Sequence, residues 1–132
     1  MSKTHQYDLQ VNKEHLDKLN HVNNVQYLHW VQEIAEAHWK SLIEKEANSY
    51  GIWVVRSHKI DYKRPAKLYD WLTLKTHIAL TKDFLSHRIV KIYLKDTTTL
   101  VAQCSTQWCY LNSETMELES IPKKVFQLFH KF

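Results

Sequence analysis

A single apolar stripe dominates the first half of the chain. From Val25 onward, its members recur every three or four residues, while the charged residues fall mainly outside it. This spacing predicts a helix of about six turns with one buried face. Asn23 and Gln26 predict a capping box at the start of this helix, and Gly51, the only glycine, predicts a left-handed C-cap just past its end. The stripe consists of Leu28, Val31, Ile34, Ala35, His38, Trp39, Leu42 and Ile43.

Alternation of apolar and polar positions predicts four long strands between Ile52 and Leu111. Short polar segments at 82–83 and 95–97 have the composition of hairpin turns, so neighbouring strands are expected to be antiparallel. Pro65 predicts an edge or a bulge after the first of these runs. Two runs each place a set of residues on one face: Leu72, Leu74, Thr76, Ile78 and Leu80 in the first, and Leu100, Ala102, Cys104, Thr106, Trp108 and Tyr110 in the second.

Two shorter elements complete the predicted fold. Residues 5–11 are predicted to form a first strand, and Pro122 suits the first turn of a C-terminal helix. A sheet that curls around the long helix buries the apolar stripe, so residues 1–132 are predicted to form one α+β domain. Because the other face of the sheet is also partly apolar, we expect a homodimer or a homotetramer.

Composition narrows the classes of partner. The 132 residues carry a net charge of +4, with dispersed lysines and no nucleic-acid-binding motif, so no nucleic-acid partner is expected. This mild charge suits a phosphate-rich small molecule or an acidic carrier protein equally well. No segment has the length of a signal peptide or a membrane span, which predicts a cytoplasmic location and no membrane partner. Neither the two cysteines nor the histidines have metal-ligand spacing, so no metal or cofactor is expected.

The loop before the long helix carries the candidate chemistry. Asp17, His21, Asn23 and Asn24 are collected in one short segment there. A helix N-terminus offers unpaired N–H groups and the positive end of the helix dipole. Polar groups beside it can hold an anion, or stabilise one that forms during a reaction. With an apolar cleft alongside, this loop is predicted to be an active site.

Resemblance to a known family rests first on the segment DKLNHVNNVQYLHWVQE. It resembles the signature of hotdog-fold thioesterases, closest to the 4-hydroxybenzoyl-CoA thioesterase-like proteins and the acyl-ACP thioesterases. The later segments IDYKRPAKLYDWLTL, WCYLN and SETMELESIP also resemble that family, so the likeness covers nearly the whole chain. It implies a hotdog fold, in which a curved antiparallel sheet of about five strands wraps a long central helix, followed by a short C-terminal helix.

The resemblance also implies a reaction, hydrolysis of an acyl thioester to a carboxylic acid and the thiol of CoA or of an acyl-carrier protein. The attacked carbonyl becomes an oxyanion, which backbone N–H groups near Asn23, Asn24 and Val25 can receive. One such donor is worth roughly 3–4 kcal/mol of the barrier. Asp17 would activate water as a general base, or attack directly to form a mixed anhydride. His21 would orient Asp17 or the water.

Further residues are candidates for contact with the substrate. Val25 and Tyr27 lie at the helix start, and the acyl chain is expected in a tunnel between the central helix and a neighbouring subunit. Structural roles compete with these functions: Asp17 as a turn residue, Asn23 as a helix cap and Tyr27 as a core aromatic. Three basic residues near the R-P-A turn are candidates for the CoA phosphates or an acidic carrier, or are ordinary solvated side chains: Lys63, Arg64 and Lys67.

Four positions depart from the family pattern. His15 stands where many relatives have a second Asp, and Leu19 stands where plant acyl-ACP thioesterases have an Asn. Asn20 and Tyr69 each replace a frequent Gly. Because Leu19 breaks an Asp-Asn-His set, the prediction of catalysis depends mainly on Asp17.

Two other functions are compatible with the same fold. One is a non-catalytic acyl-CoA-binding hotdog module that does not turn its ligand over. The other is a hydroxyacyl-thioester dehydratase, for which we expect a different arrangement of His and carboxylate.

Overall fold

A computed structural model of the protein describes residues 3–43 and 50–130. The strands form one antiparallel sheet in the order β1-β3-β4-β5-β2, so β1 and β2 are its edges. The predicted hairpins that join β3 to β4 and β4 to β5 are confirmed. The elements are β1 (Thr4–Gln10), a 3-10 helix (Lys13–His15), α1 (Asn24–Ile43), β2 (Ile52–Tyr62), β3 (Trp71–Lys82), β4 (Leu85–Leu94), β5 (Leu100–Leu111) and α2 (Lys123–Phe129).

The main core forms where the apolar stripe of α1 packs on the sheet. Trp30, Val31 and Ile34 of α1 are at most 3% exposed. Irregular register within the sheet marks bulges, which bend the strands that carry them. A long helix packed on a five-stranded antiparallel sheet, with a short C-terminal helix, confirms the α+β hotdog fold. The sheet side of this core consists of Leu72, Leu74, Val90, Ile92, Val101, Ala102 and Cys104.

The start of α1 confirms Asn23 as its cap. Asn23 Oδ1 accepts a hydrogen bond from the Val25 N–H at 2.9 Å, which satisfies one of the unpaired donors of the first turn. The reciprocal half of the predicted capping box is wrong. The N–H of Asn23 donates to the His15 carbonyl at 2.8 Å rather than to the Gln26 side chain.

Gly51 is required by a close approach and not by a helix end. Its φ is not positive, so the predicted left-handed C-cap is wrong, and segment 44–49 lies outside the described residues. The Gly51 N–H donates to the Tyr110 hydroxyl at 2.6 Å. A Cβ on Gly51 would lie 2.2 Å from the Leu111 carbonyl oxygen, so any larger residue would displace β5 here.

Three further predictions differ from the structure in detail. Leu80 is 57% exposed, because the register shift between Ile78 and Leu80 reverses the alternation of β3. Pro65 lies in the loop that follows β2, and the bulge of that strand occurs earlier along it. Pro122 immediately precedes α2 instead of occupying its first turn.

A polar cluster is buried between α1 and the sheet. His38, Thr76 and Arg88 are each at most 3% exposed. Arg88 Nη1 donates to His38 Nδ1 and to Thr76 Oγ1, both at 2.9 Å. Since Nδ1 accepts, the imidazole is neutral and carries its proton on Nε2. Burial, together with the charge of Arg88, lowers the pKa of His38 to about 3, and His38 is confirmed as a hydrogen-bonded core residue.

The low pKa of His38 predicts sensitivity to acid. The unfolded chain restores the ordinary pKa of 6.5, so this contribution to stability is complete above pH 6.5 and is lost as the pH falls toward 3. In His38→Asn the amide oxygen can accept from Arg88 but does not titrate. Between pH 7 and pH 5, urea unfolding should show wild type losing about 2 kcal/mol more unfolding free energy than this variant. Equal losses would contradict a neutral, buried His38.

Candidate active site at the start of the long helix

The loop that precedes α1 is organised around Asp17. One carboxylate oxygen, Oδ1, accepts from the N–H groups of Leu19 at 2.8 Å and His21 at 3.3 Å. The Asp17 N–H in turn donates to the His21 carbonyl at 2.8 Å. The contact between Asp17 and His21 therefore uses the backbone of His21 and not its imidazole. Oδ1 makes both of these loop contacts, and within residues 3–43 and 50–130 no hydrogen bond involves Oδ2.

A cavity of about 220 Å³ opens beside this loop and the first turn of α1. It brings together residues that lie far apart in the chain, on the loop, on α1 and after β2. Its lining also includes Val22, Tyr62 and Pro65, which were not candidates from the sequence. The sequence-predicted residues that line it are Asp17, His21, Asn24, Tyr27, Lys63 and Arg64.

Three of the sequence-predicted residues do not line this cavity. Asn23 uses its side chain to cap α1. The side chain of Val25 is 58% exposed. Lys67 is exposed, and its N–H donates to Asp70 Oδ2 at 2.9 Å, although its backbone pairs with His21. The contacts of Asn23 and Lys67 are those of residues that hold the local backbone.

The helix start offers fewer available N–H groups than the sequence suggested. The N–H of Asn23 is bonded to the His15 carbonyl, and that of Val25 is bonded to Asn23 Oδ1. Of the three residues considered, and within the described chain, only Asn24 keeps its N–H for a ligand. Asn24 is the first residue of α1 and lines the cavity, so this donor and the positive end of the helix dipole meet there.

Two tyrosines line the cavity, Tyr27 on its buried side and Tyr62 on its exposed side. Tyr27 is 2% exposed, and its hydroxyl accepts the Ala66 N–H at 3.2 Å, which ties α1 to the loop after β2. Burial raises the pKa of Tyr27, so its hydroxyl stays protonated at neutral pH. The Tyr62 hydroxyl donates to the Asn24 carbonyl at 3.4 Å. Strand alternation could have identified Tyr62, because it lies two residues after the inward-packed Ile60.

The rim of the cavity is positively charged. The N–H groups of Lys63 and Arg64 both donate to the Val101 carbonyl, at 2.8 and 3.1 Å. These bonds fix the loop against the start of β5 while both side chains remain exposed. The rim therefore presents two cations beside the start of α1.

A metal centre would need a cluster of ligating side chains. Residues 3–43 and 50–130 contain no group of three or more His, Cys, Asp or Glu side chains placed to hold an ion. In the same part of the chain, neither helix has the length and apolar character required to cross a membrane.

The fold and the cavity define a hotdog protein in which a carboxylate and a helix N-terminus share one small pocket. The chain belongs to the acyl-ACP thioesterase family, because the sequence profile of the acyl-ACP thioesterase N-terminal domain matches residues 2–129.

Individual relatives agree with this assignment. The chain is 35% identical over 78 residues to the long-chain acyl-CoA thioesterase FadM of Escherichia coli (strain K12), an alignment that covers 55% of this chain and only 57% of FadM. Among solved structures, Slr0204, a 1,4-dihydroxy-2-naphthoyl-CoA thioesterase from Synechocystis, matches with a TM-score of 0.82 and 18% identity over 96% of this chain and 95% of its own. SAV2348 from Staphylococcus aureus, in complex with CoA, matches with a TM-score of 0.84 and 17% identity over 97% and 82%. At these identities the two structures show a shared fold.

The site loops also explain two departures from the family pattern. Asn20 and Tyr69, which stand where relatives frequently have Gly, have φ values of 60° and 69°. This left-handed region suits Gly, is tolerated by Asn and is strained for Tyr. The backbone has therefore kept the conformation that glycine favours.

Replacement of Tyr69 by glycine should relieve this strain. The left-handed conformation costs a residue other than glycine about 1–2 kcal/mol, and glycine removes this cost. Because glycine loses more conformational entropy on folding, part of the gain in stability is cancelled. Since Tyr69 is 63% exposed, its ring contributes little burial. We expect Tyr69→Gly to raise the free energy of unfolding by about 0.5–1 kcal/mol, and the matched Asn20→Gly to raise it less. Urea unfolding of both variants measures this, and a loss of stability in Tyr69→Gly would contradict it.

Proposed function

We propose that residues 1–132 form one hotdog thioesterase domain that hydrolyses an acyl-CoA to a free carboxylic acid and CoA. The family supports thioester hydrolysis. The relatives FadM and Slr0204 are both acyl-CoA thioesterases by name, and SAV2348 was solved with CoA bound, which favours CoA over a carrier protein as the thiol. The family's name makes an acyl-carrier protein the second candidate substrate. Removal of the Lys63 and Arg64 charges separates the two candidates.

One observation carries the proposal: Asp17 and the N-terminal residue of α1 line the same small cavity. A thioester carbonyl placed between them would have a carboxylate on one side and the Asn24 N–H on the other. Attack at carbonyl carbon places negative charge on the carbonyl oxygen, and the N–H and the helix dipole stabilise that charge. Collapse of the intermediate breaks the C–S bond and releases the thiol.

Asp17 supplies the other half of the chemistry. As a general base, its carboxylate takes a proton from the attacking water; as a nucleophile, it forms a mixed anhydride that water then hydrolyses. Both routes need the same carboxylate oxygen, and Oδ2 is the one that the loop does not use. His21 lines the same cavity, and because its contacts with Asp17 use its backbone, the proposal assigns its imidazole to the water rather than to Asp17.

The remaining candidates have supporting roles in this proposal. Lys63 and Arg64, exposed at the rim, pair with CoA phosphates, and Lys67 adds positive charge to the same loop. Asn23 acts through the cap that sets the position of Asn24, and Tyr27 acts as a wall.

The size of the cavity points to an oligomer. About 220 Å³ is too small for an acyl-CoA, which needs a pocket of several hundred Å³. Val25 and Tyr62, next to the cavity, are 58% and 43% exposed, and Ile52 and Val54 on the edge strand β2 are 38% and 44% exposed. We propose that a second copy of the chain covers these residues in a homodimer or homotetramer and completes the acyl tunnel beside α1.

Removal of the Asp17 charge tests the chemistry. Asp17→Asn keeps Oδ1 as the acceptor for the Leu19 and His21 N–H groups, so the loop should persist. We expect kcat/KM for acyl-CoA hydrolysis to fall at least about 100-fold, measured by thiol release. The control is Asp61→Asn, since Asp61 is exposed on β2 and does not line the cavity.

The outcome of this experiment separates the alternatives. Equal thiol release by wild type and a folded Asp17→Asn would mean that Asp17 only supports the loop. Binding of acyl-CoA without thiol release by wild type would identify a binding module. An enoyl product from a hydroxyacyl-CoA would identify a dehydratase.

Removal of the rim cations tests whether the thiol of the substrate belongs to CoA or to an acyl-carrier protein. We expect the double variant Lys63→Ala/Arg64→Ala to raise KM for acyl-CoA about 10-fold with little change in kcat, because charge pairs to phosphate act in binding. Acyl-pantetheine, which lacks the nucleotide phosphates, should show no such change. Lys82→Ala/Lys123→Ala, two exposed lysines outside the cavity, is the matched control. An unchanged KM for acyl-CoA together with a raised KM for acyl-carrier protein would assign the cations to a carrier.

A further inference from the structure

A second and larger cavity lies beside the middle of α1. Its volume is about 410 Å³, and it is an open pocket lined by residues of α1, the start of β2, the sheet and α2. Its lining on α1 begins at Gln32, 8 residues after Asn24, which corresponds to about 12 Å along the helix, and extends to Trp39. This cavity shares no lining residue with the Asp17 cavity.

One wall of this cavity carries a buried cation for which the described residues supply no counter-ion. Arg88 lines the cavity and is 3% exposed, and its guanidinium lies over the Phe129 ring, 5.8 Å from the centroid. Both of its hydrogen bonds within the described residues use Nη1, and both go to neutral groups, His38 and Thr76. The ion pairs of the described chain, Lys40–Glu36 and Lys95–Asp8, do not include it. Burial lowers the pKa of Arg88 to about 9, so it remains charged at neutral pH.

Three more polar atoms of the same lining lack partners. Within the described residues, the Trp53 Nε1, Trp108 Nε1 and Ser86 Oγ atoms are buried and make no hydrogen bond. All three residues line this cavity, and Ser86 and Trp108 face each other in the β4–β5 register. Each buried group without a partner destabilises the fold, and a buried charge without a counter-ion does so more strongly. Their concentration in one cavity is the pattern of a binding site that a ligand completes.

The chemistry of these groups defines the ligand. Guanidinium and indole N–H groups only donate hydrogen bonds, and a serine hydroxyl can donate. A partner that satisfies all of them must be rich in acceptors and negatively charged, as a carboxylate is. The other walls are apolar, with Trp39, Ile78 and Phe129 in the lining, so the ligand also has a hydrocarbon body. The one acidic side chain in the lining, Glu36, is exposed and is paired with Lys40 at 3.3 Å.

We propose that this cavity binds the carboxylate of an apolar organic acid, with Arg88 as its counter-ion and Ser86, Trp53 and Trp108 as hydrogen-bond donors. Two sources can present this chemistry: the free acid that thioester hydrolysis releases, or a carboxyl group at the far end of an acyl substrate. The choice of source rests on the proposed function, whereas the carboxylate site itself does not.

Direct binding tests the site without any turnover. Octanoate and octan-1-ol have the same hydrocarbon length, and their binding can be followed by the fluorescence of the tryptophans that line the cavity. We expect wild type to bind octanoate at least about 10-fold more tightly than octan-1-ol, and Arg88→Met to lose this preference. Lys91→Met is the matched control, because Lys91 is a cation on the same strand that does not line the cavity.

Stability separates a binding role of Arg88 from a structural one. Arg88→Met removes a buried charge that has no counter-ion among the described residues, but it also leaves the Nδ1 acceptor of His38 without its donor. Because the two effects oppose each other, we expect a folded variant with a melting temperature within about 5 °C of wild type. If Arg88→Met does not fold, Ser86→Ala removes one donor with little change in volume and should weaken octanoate binding several-fold. Equal affinity of wild type for octanoate and octan-1-ol, or full octanoate affinity in both variants, would overturn the proposal.

Two kinetic measurements distinguish the sources. A kcat/KM preference for octanedioyl-CoA over octanoyl-CoA that is lost in Arg88→Met identifies the far end of the acyl group. Inhibition of octanoyl-CoA hydrolysis by octanoate that is lost in Arg88→Met, without such a preference, identifies the released acid. If no thioester is hydrolysed but octanoate still binds through Arg88, the carboxylate site stands and the proposed function fails.

Discussion

Burial of the α1 stripe against the sheet is the contact on which the rest of the structure depends. The stripe has one face, so contact of Val31 and Ile34 with the sheet sets the rotation of the helix. That rotation turns His38 inward toward Arg88 and leaves the first residue of α1 beside the Asp17 loop. One apolar contact therefore positions the polar groups at both ends of the helix.

The two cavities differ in how many of their polar groups have hydrogen-bond partners. Among the described residues around Asp17, most backbone donors have a partner, and one carboxylate oxygen and the Asn24 N–H are left for a ligand. In the Arg88 cavity, three buried side-chain donors have no acceptor among the described residues. The first arrangement suits a reaction in which charge appears briefly on the substrate. The second suits a ligand that brings a permanent negative charge into the protein.

Local signals in the sequence were sufficient for much of the fold. The period of the stripe located α1, the alternation located the strands, and Asn23 was correctly placed as the helix cap. The errors came where a distant residue competes with a local one. Gly51 looked like a helix end, but the ring of Tyr110 and the carbonyl of Leu111 are what exclude a side chain there. Leu80 left the buried face because of a bulge in its pairing with β4, which alternation within β3 alone does not reveal.

The sequence by itself determined the family, the elements and the cluster of Asp17, His21, Asn23 and Asn24 at a helix start, because these depend on neighbours along the chain. Only the tertiary structure decided how these residues divide their roles, with Asn23 as a cap and Asn24 at the cavity. It alone revealed Arg88, an ordinary basic position within a strand, as a buried cation facing a cavity. Burial and hydrogen-bond satisfaction are properties of contacts between distant segments, and periodicity does not encode them.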